Sequence, residues 1–454
     1  MSTPDLVLTG RRVLTPDGIA PRAIHIHRGL ITAVTTPQAA PPGVPVMDAG
    51  DLLVGPGLVD SHVHINEPGR TQWEGFETAT QAAAAGGITT VVDMPLNCIP
   101  ATTSRDAAQE KLRALDGKLS VDVSFWGGVV PGNTAQLRGM REMGITGAKC
   151  FLCPSGVDEF PNVTRAHLEE AMPVMRDLDM TLLVHAELPG PLDRAEAELK
   201  AHPADPRRYA TYLASRPNAA EDDAIAMLVD LCRKHRTRVH IVHLSSASAL
   251  PLLRKAHQEG LPISAETCLH YLTFASEEIV DGATHFKCAP PIREAANREA
   301  LWAGLKDGTL SLVVSDHSPC TPNLKKMDTG DFLGAWGGIA SLQLGLGALW
   351  TLAQPRGFSL EDVFRWCAAA PAALARLDAH KGTIAPGHHA DLVMFDPNGD
   401  QTVTRALLRF KHKISPYEGR TLRGVVTRTL LRGQVIFDGT QVAAPGGRFV
   451  TGAA

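Results

Sequence analysis

Along most of the central chain, short β-rich runs alternate with longer alanine-rich segments of helical pattern. "TTVVDMP" follows "ETATQAAAAGG", and "TLLVHAE" follows "AHLEEAMPVMRDLD". Repeated strand–helix alternation implies parallel strands joined by helical crossovers. About eight such runs fall between residues 55 and 375, so the pattern predicts an α/β fold, a TIM-like (β/α)8 barrel over 55–379. The two ends differ in texture. "DLVLTGRRVLTPDG" and "AIHIHRGLITAV" near the start, and "ADLVMFDPNG" and "GVVTRTLLRGQVIFDG" near the end, are short alternating runs broken by Gly, Asp and Pro turns. Neither end alone has enough strands to bury a core. Residues 1–54 and 380–454 are therefore expected to build one small β-sandwich domain together. The apolar stretch "WGGIASLQLGLGALWTLA" (336–353) approaches membrane-span length, but Ser341, Gln343 and its glycines mark a buried amphipathic helix instead.

Composition narrows the partners. The chain has 454 residues, 44% hydrophobic and 20% charged, with a formal net charge of -4. Such a balance belongs to a soluble globular protein and leaves no footprint for nucleic acid or an anionic membrane. The start, "MSTPDLVLTG", has no basic region followed by an apolar core, so a cytoplasmic location is expected. The eight cysteines are scattered, as in a protein with reduced thiols. Only Cys150 and Cys153, in "CFLC", have redox or zinc spacing. Without a second pair this is a weak signal.

The chemistry concentrates where β-rich runs end. In "GPGLVDSHVHINEPG" (55–69), His62 and His64 share one strand face while Val63 points away. Two adjacent imidazoles are costly to bury unless something binds them, and a metal ion is the usual occupant. Lys149 in "GITGAKCF", His185 in "TLLVHAE", His243 in "RVHIVHLSS" and Asp316 in "LSLVVSDHSP" also close such runs. Barrel active sites lie at the C-terminal strand ends, so these six groups can converge on one pocket. By strand parity His240 and His243 face opposite sides. His243 is the ligand candidate, and His240 reads as a packed histidine. Lys149 is the odd member, because an ammonium repels cations. It is either a salt-bridging or snorkelling lysine or a carbamate formed with CO₂, which would bridge two cations about 3.5–4 Å apart.

These motifs, with "GGITTVVDMP", "ETCLHYL", "KCAPPIRE", "VSDHSPC" and "GTIAPGHHADLVMFDP", run nearly end to end. The sequence resembles the cyclic amidohydrolase branch of the amidohydrolase superfamily, which includes dihydroorotases, hydantoinases and allantoinases. The resemblance implies a (β/α) barrel with a binuclear metal centre and a β-sandwich from the termini. It places the ligands at His62, His64, carboxylated Lys149, His185, His243 and Asp316. Zinc is the first expectation for the two divalent ions, and manganese, cobalt and iron also suit histidine and oxygen donors. A homotetramer is usual for the branch.

Within the branch, "EPGR…WEGFETAT", "MPLN", "WGGIASLQ" and above all "KHKISPYEGRTLRG" (411–424) are similar to allantoinases. Dihydroorotases typically carry arginine where this chain has Asn66, and "MPNT" where it has "MPLN". The resemblance thus implies hydrolysis of the hydantoin-ring amide of allantoin to allantoate, with Asp316 as base and then acid. A hydantoinase or dihydropyrimidinase is the runner-up and a dihydroorotase third, with a catalytically dead scaffold as the non-enzymatic alternative. By analogy Asn66, Asn97, Ser318 and backbone groups around Cys288 to Pro290 contact the substrate. Trp336 is expected to line the pocket, and "CPSGVDEFPNV" after Lys149 to form a mobile lid.

Overall fold

The structure, a computed structural model, describes residues 3–37 and 41–452. Eight parallel strands follow one another in chain order: Leu58–Val63, Ile88–Asp93, Asp122–Phe125, Gly147–Phe151, Thr181–His185, Val239–Ile241, Ile263–Cys268 and Leu312–Val314. The third strand runs on through Trp126 into Gly127–Gly128, which pairs with the fourth. The first and last strands meet through a bridge between Val63 and His317, where His64 N donates to His317 O at 2.8 Å. The ends of the ring are thereby brought together.

Helices cross between successive strands, as the alternating pattern requires. The first, Phe76–Ala85, buries Ala82 to Ala85, whose small side chains let it lie close to the strands it covers. The helix Asn218–His235 buries Ile225, Leu228 and Val229 on one stripe and gathers Arg233, Lys234 and His235 in its last turn, where cations suit the helix dipole. The stretch that approaches span length forms the short helix Gly345–Ala353, packed into the main core through Leu346 and Leu349. No helix among the described residues is long and apolar enough to cross a membrane.

Strands from both ends of the chain share one eight-stranded sheet. Its order is Gln434–Phe437, Thr421–Leu431, Leu392–Thr402, Leu53–Pro56, Leu6–Thr15, Gly18–His27 and Leu30–Thr35, with Val46–Asp48 beside Leu6–Thr15. The N- and C-terminal parts meet where Val54 pairs antiparallel with Met394. A core of Leu8, Ile24, Val54, Leu392 and Leu430 is buried there, separate from the barrel core. Gly55 lets the sheet pack tightly on the helix that carries Phe364, since a Cβ there would sit 2.3 Å from the Phe364 ring.

Candidate metal centre

The six residues expected at strand ends lie together at the C-terminal mouth of the strands. His62 Nε2 and His64 Nε2 lie 3.2 and 3.6 Å from Asp316 Oδ1. Lys149 Nζ is 3.0 Å from His62 Nε2. The His243 ring centroid is 5.3 Å from that of His62 and 4.6 Å from that of His185. His64, Lys149, His185, His243 and Asp316 line a cavity of about 660 Å³, and His62 is wholly buried behind them. His243 and Asp316 both follow the last paired residue of their strands and have φ of 39° and 43°. Such left-handed backbone is disfavoured for these residue types and persists only where the surroundings hold it.

Three of the four imidazoles, those of His62, His64 and His185, are aimed by a hydrogen-bond partner on one ring nitrogen. Glu266 accepts from His62 Nδ1 at 2.5 Å, and the Leu96 carbonyl from His64 Nδ1 at 2.7 Å. Both Nε2 lone pairs therefore face the cluster. His185 Nε2 is held 2.6 Å from Glu187 Oε2, and Glu187 is itself gripped by Arg216. Glu266 also takes His240 Nε2 at 3.0 Å and the His243 backbone N–H at 3.2 Å. His240 is thus a packed histidine that steadies the same carboxylate. His243 Nδ1 is buried with no hydrogen-bond partner.

Burial dominates the electrostatics. It pushes His62, His64 and His243 well below the ordinary imidazole value, with Lys149 or a neighbouring histidine adding to the effect. Burial also pulls the Lys149 amine down, against the opposing pull of Asp316 and Glu266, and pushes the Asp316 carboxyl up. Glu187 goes the other way: burial would raise it, but Arg216 and His185 outweigh burial and hold it ionised. Neutral imidazoles with free lone pairs, a carboxylate and an amine shifted toward its nucleophilic neutral form are the donors that divalent cations and a carbamate require. The orphaned His243 nitrogen adds to that fit. The ligand atoms of His62, His64 and Asp316 already lie within 4.8 Å of one another.

The substrate candidates divide. Asn97 and Ser318 line the cavity, as do Trp336, Gly337 and Gly338. Asn66 does not; it sits behind Asn97, accepting from its Nδ2 at 3.2 Å and donating to the Pro319 carbonyl at 3.3 Å. Lys287 and Ala289 line the cavity from this loop, while the Cys288 and Pro290 carbonyls accept from the Tyr212 and Tyr271 hydroxyls at 2.6 and 2.7 Å. Gly338, at φ 124°, leaves no room for a Cβ, which would lie 2.2 Å from the Ser318 carbonyl. Pro154, Ser155 and Gly156 of the segment after Lys149 form part of the wall. All eight cysteines are free thiols, Cys150 and Cys153 included. Glu266, Glu187 and Arg216 were not anticipated from the sequence. Glu266 carried a usable signal, since it lies on the same strand face as Cys268 at the end of the seventh strand.

Residues 53–436 match the amidohydrolase family. An allantoinase from Streptomyces avermitilis is 49% identical over 452 residues, covering 99% of each chain. An allantoinase from Saccharomyces cerevisiae is 49% identical over 385 residues, 84% of this chain and 82% of that one. Among solved structures, an L-hydantoinase (dihydropyrimidinase) from Arthrobacter aurescens superposes with a TM-score of 0.93 at 30% identity, covering 98% of this chain and 99% of that one.

Proposed function

The chain belongs to the amidohydrolase family, and from that premise we propose that it hydrolyses the hydantoin-ring amide of allantoin to allantoate. The observation that carries this reading is the convergence of His62, His64, Lys149 and Asp316 on one point in a cavity whose Asn97 side chain meets Asn66 rather than an arginine. Similarity to allantoinases over most or all of the chain supports the choice of substrate. Similarity to a hydantoinase favours that activity as the second reading.

We assign two divalent ions, zinc first, to His62, His64, His185, His243, Asp316 and a carboxylated Lys149. Bound there, they supply Lewis acidity to the ring carbonyl and make water a competent nucleophile near neutral pH. Asp316 then acts as base and acid. Its carboxylate accepts the proton that the attacking water gives up, and returns it to the ring nitrogen as the C–N bond breaks and the new C–O bond is made. Ser318 Oγ, donating to Asp316 Oδ1 at 2.9 Å, fixes that carboxylate for the transfer. Asn97 offers amide hydrogen bonds to the uncharged ureido group, with Asn66 behind it setting its rotamer.

The same reading takes residues 1–54 with 380–454 as one β unit beside a barrel of 55–379. It also takes the free thiols as those of a cytoplasmic protein, and the assembly as a homotetramer.

The test is kcat/KM for allantoin, hydantoin, dihydrouracil and dihydroorotate on one metal-loaded preparation. Dihydroorotate would bring a carboxylate into a cavity whose lining guanidinium, Arg216, is already committed to Glu187, and an unpaired buried charge costs several kcal/mol. Allantoin is therefore expected to exceed dihydroorotate by about a thousandfold. Comparable values for the two would contradict the assignment, and a preference for hydantoin or dihydrouracil would select the second reading.

A further inference from the structure

Cys268 closes the seventh barrel strand, on the same face as Ser264 and Glu266. That face points into the barrel, because Ser264 Oγ lies 2.7 Å from His240 Nδ1 and Glu266 holds His62. Two residues on, His270 is completely buried, and neither of its ring nitrogens has a hydrogen-bond partner. A buried polar atom without a partner forgoes about 1–3 kcal/mol, so an imidazole with two such atoms invites explanation. The ligand atoms of Cys268, His270 and Asp316 all lie within 4.8 Å of one another. Asp316 opens onto the main cavity, which gives an ion a way in.

We propose that Cys268, His270 and Asp316 form a third cation site, beside the catalytic pair, that takes a soft or borderline ion such as Zn²⁺ or Cd²⁺. The proposal rests on the binuclear reading only through Asp316, which both sites use. A thiolate and an imidazole select such ions over magnesium or calcium. Without the ion, burial keeps the Cys268 thiol protonated. Binding forms a sulfur–metal bond, and the thiol proton leaves to solvent. The ion engages the Asp316 carboxylate, which the reaction needs for proton transfer. Excess zinc is therefore an inhibitor that acts through this site, and the paired His62, His64, Lys149, His185 and His243 need not lose their metals.

Cobalt distinguishes the sites, because sulfur ligation produces a charge-transfer band in the near ultraviolet and none of the six ligands assigned to the catalytic pair is sulfur. Cys153, which could join His185 and Glu187 around an ion, and Cys288, between the lining residues Lys287 and Ala289, are further sulfurs near the cavity, and Cys153 is the control. Titration of metal-free protein with Co²⁺ is expected to fill two equivalents without the band and a third with it. The band should persist in Cys153→Ser and vanish in Cys268→Ser. His270→Gln should weaken the third equivalent by more than about tenfold. Saturation at two equivalents with no band overturns the third site and leaves the binuclear reading intact. A band lost in Cys153→Ser but kept in Cys268→Ser also overturns it. A single equivalent with the Cys268-dependent band supports the sulfur site and overturns the binuclear reading, and one equivalent or none without the band overturns both.

Discussion

At the start of the third barrel strand, far along the strands from the histidine-lined mouth, Asp122 accepts from Lys381 Nζ at 2.6 Å and from Arg432 Nη1 at 2.6 and 2.8 Å. Asp391 takes the same Lys381 at 2.5 Å and the Arg432 backbone N–H at 2.7 Å. Two carboxylates and two cations, drawn from the barrel and the terminal sheet, satisfy one another. Burial would raise Asp122, but its two cations outweigh burial and hold it low. The opposite strand ends carry similar residue types in a different balance. There an amine and four imidazoles crowd one another, one imidazole nitrogen is orphaned, and burial pushes Asp316 up. In the first cluster each carboxylate meets a cation of the chain, while the Nδ1 of the neighbouring His389, 4.0 Å from Asp391, is left without a hydrogen bond. In the second, imidazoles and an amine outnumber the one carboxylate they crowd around, a balance that suits a ligand site more than a structural ion network.

The comparison breaks most sharply at Lys149. Lys149→Ala should lower kcat by more than about a thousandfold and abolish metal uptake with it, since the metals supply several kcal/mol of transition-state stabilisation. A short carboxylic acid added to the variant should restore part of both. Retained metal and activity in Lys149→Ala would remove the distinction between the two clusters. Lys381→Met should do the reverse. Leaving Asp122 and Asp391 short of a partner in a buried site costs about 3–5 kcal/mol, seen as a lower denaturant midpoint and Tm. Metal content and kcat per folded molecule should match the parent. A fall in metal content without loss of stability would contradict the structural role.

Lys287 offers a smaller, intermediate case. Its buried ammonium donates to the Leu333 and Ala335 carbonyls at 3.0 and 2.6 Å, and burial, reinforced by Arg216 and Lys325, lowers it to about 7. Between that value and its ordinary 10.5 the unfolded chain binds more protons than the folded one, so stability rises with pH across this window and is lost as pH falls toward 7. Metal-loaded protein should gain about 1–2 kcal/mol of this kind between pH 7 and about 9. Lys287→Met should flatten that rise in urea unfolding measured at the two pH values. An unchanged slope would show that another group sets it.

The strand-end cluster was more legible in the sequence than the Asp122 network, for a physical reason. His62, His64, Lys149, His185, His243 and Asp316 all close β-rich runs, and in a barrel that position alone forecasts convergence. Asp122 opens such a run, and Lys381 and Arg432 lie in turn-rich terminal segments, so nothing local announces that they meet. Residues that act through others were equally silent. Glu266 holds His62 from another strand, and Glu187, though only two residues after His185, is fixed by Arg216 from a segment 29 residues away, separations that periodicity does not encode. Cys288 and Pro290 illustrate the converse. Their loop was located, but which backbone groups stay free depended on Tyr212 and Tyr271 reaching them from elsewhere.

The most direct test of the central claim, that the cluster at the strand ends is a two-metal site joined through Lys149, is a crystal structure of active, metal-replete protein. The account predicts density for a carbamate extending from Lys149 Nζ and bridging two metal ions, with His62, His64 and Asp316 on one and His185 and His243 on the other. A bare amine at Lys149 beside a single ion in such a preparation would contradict it.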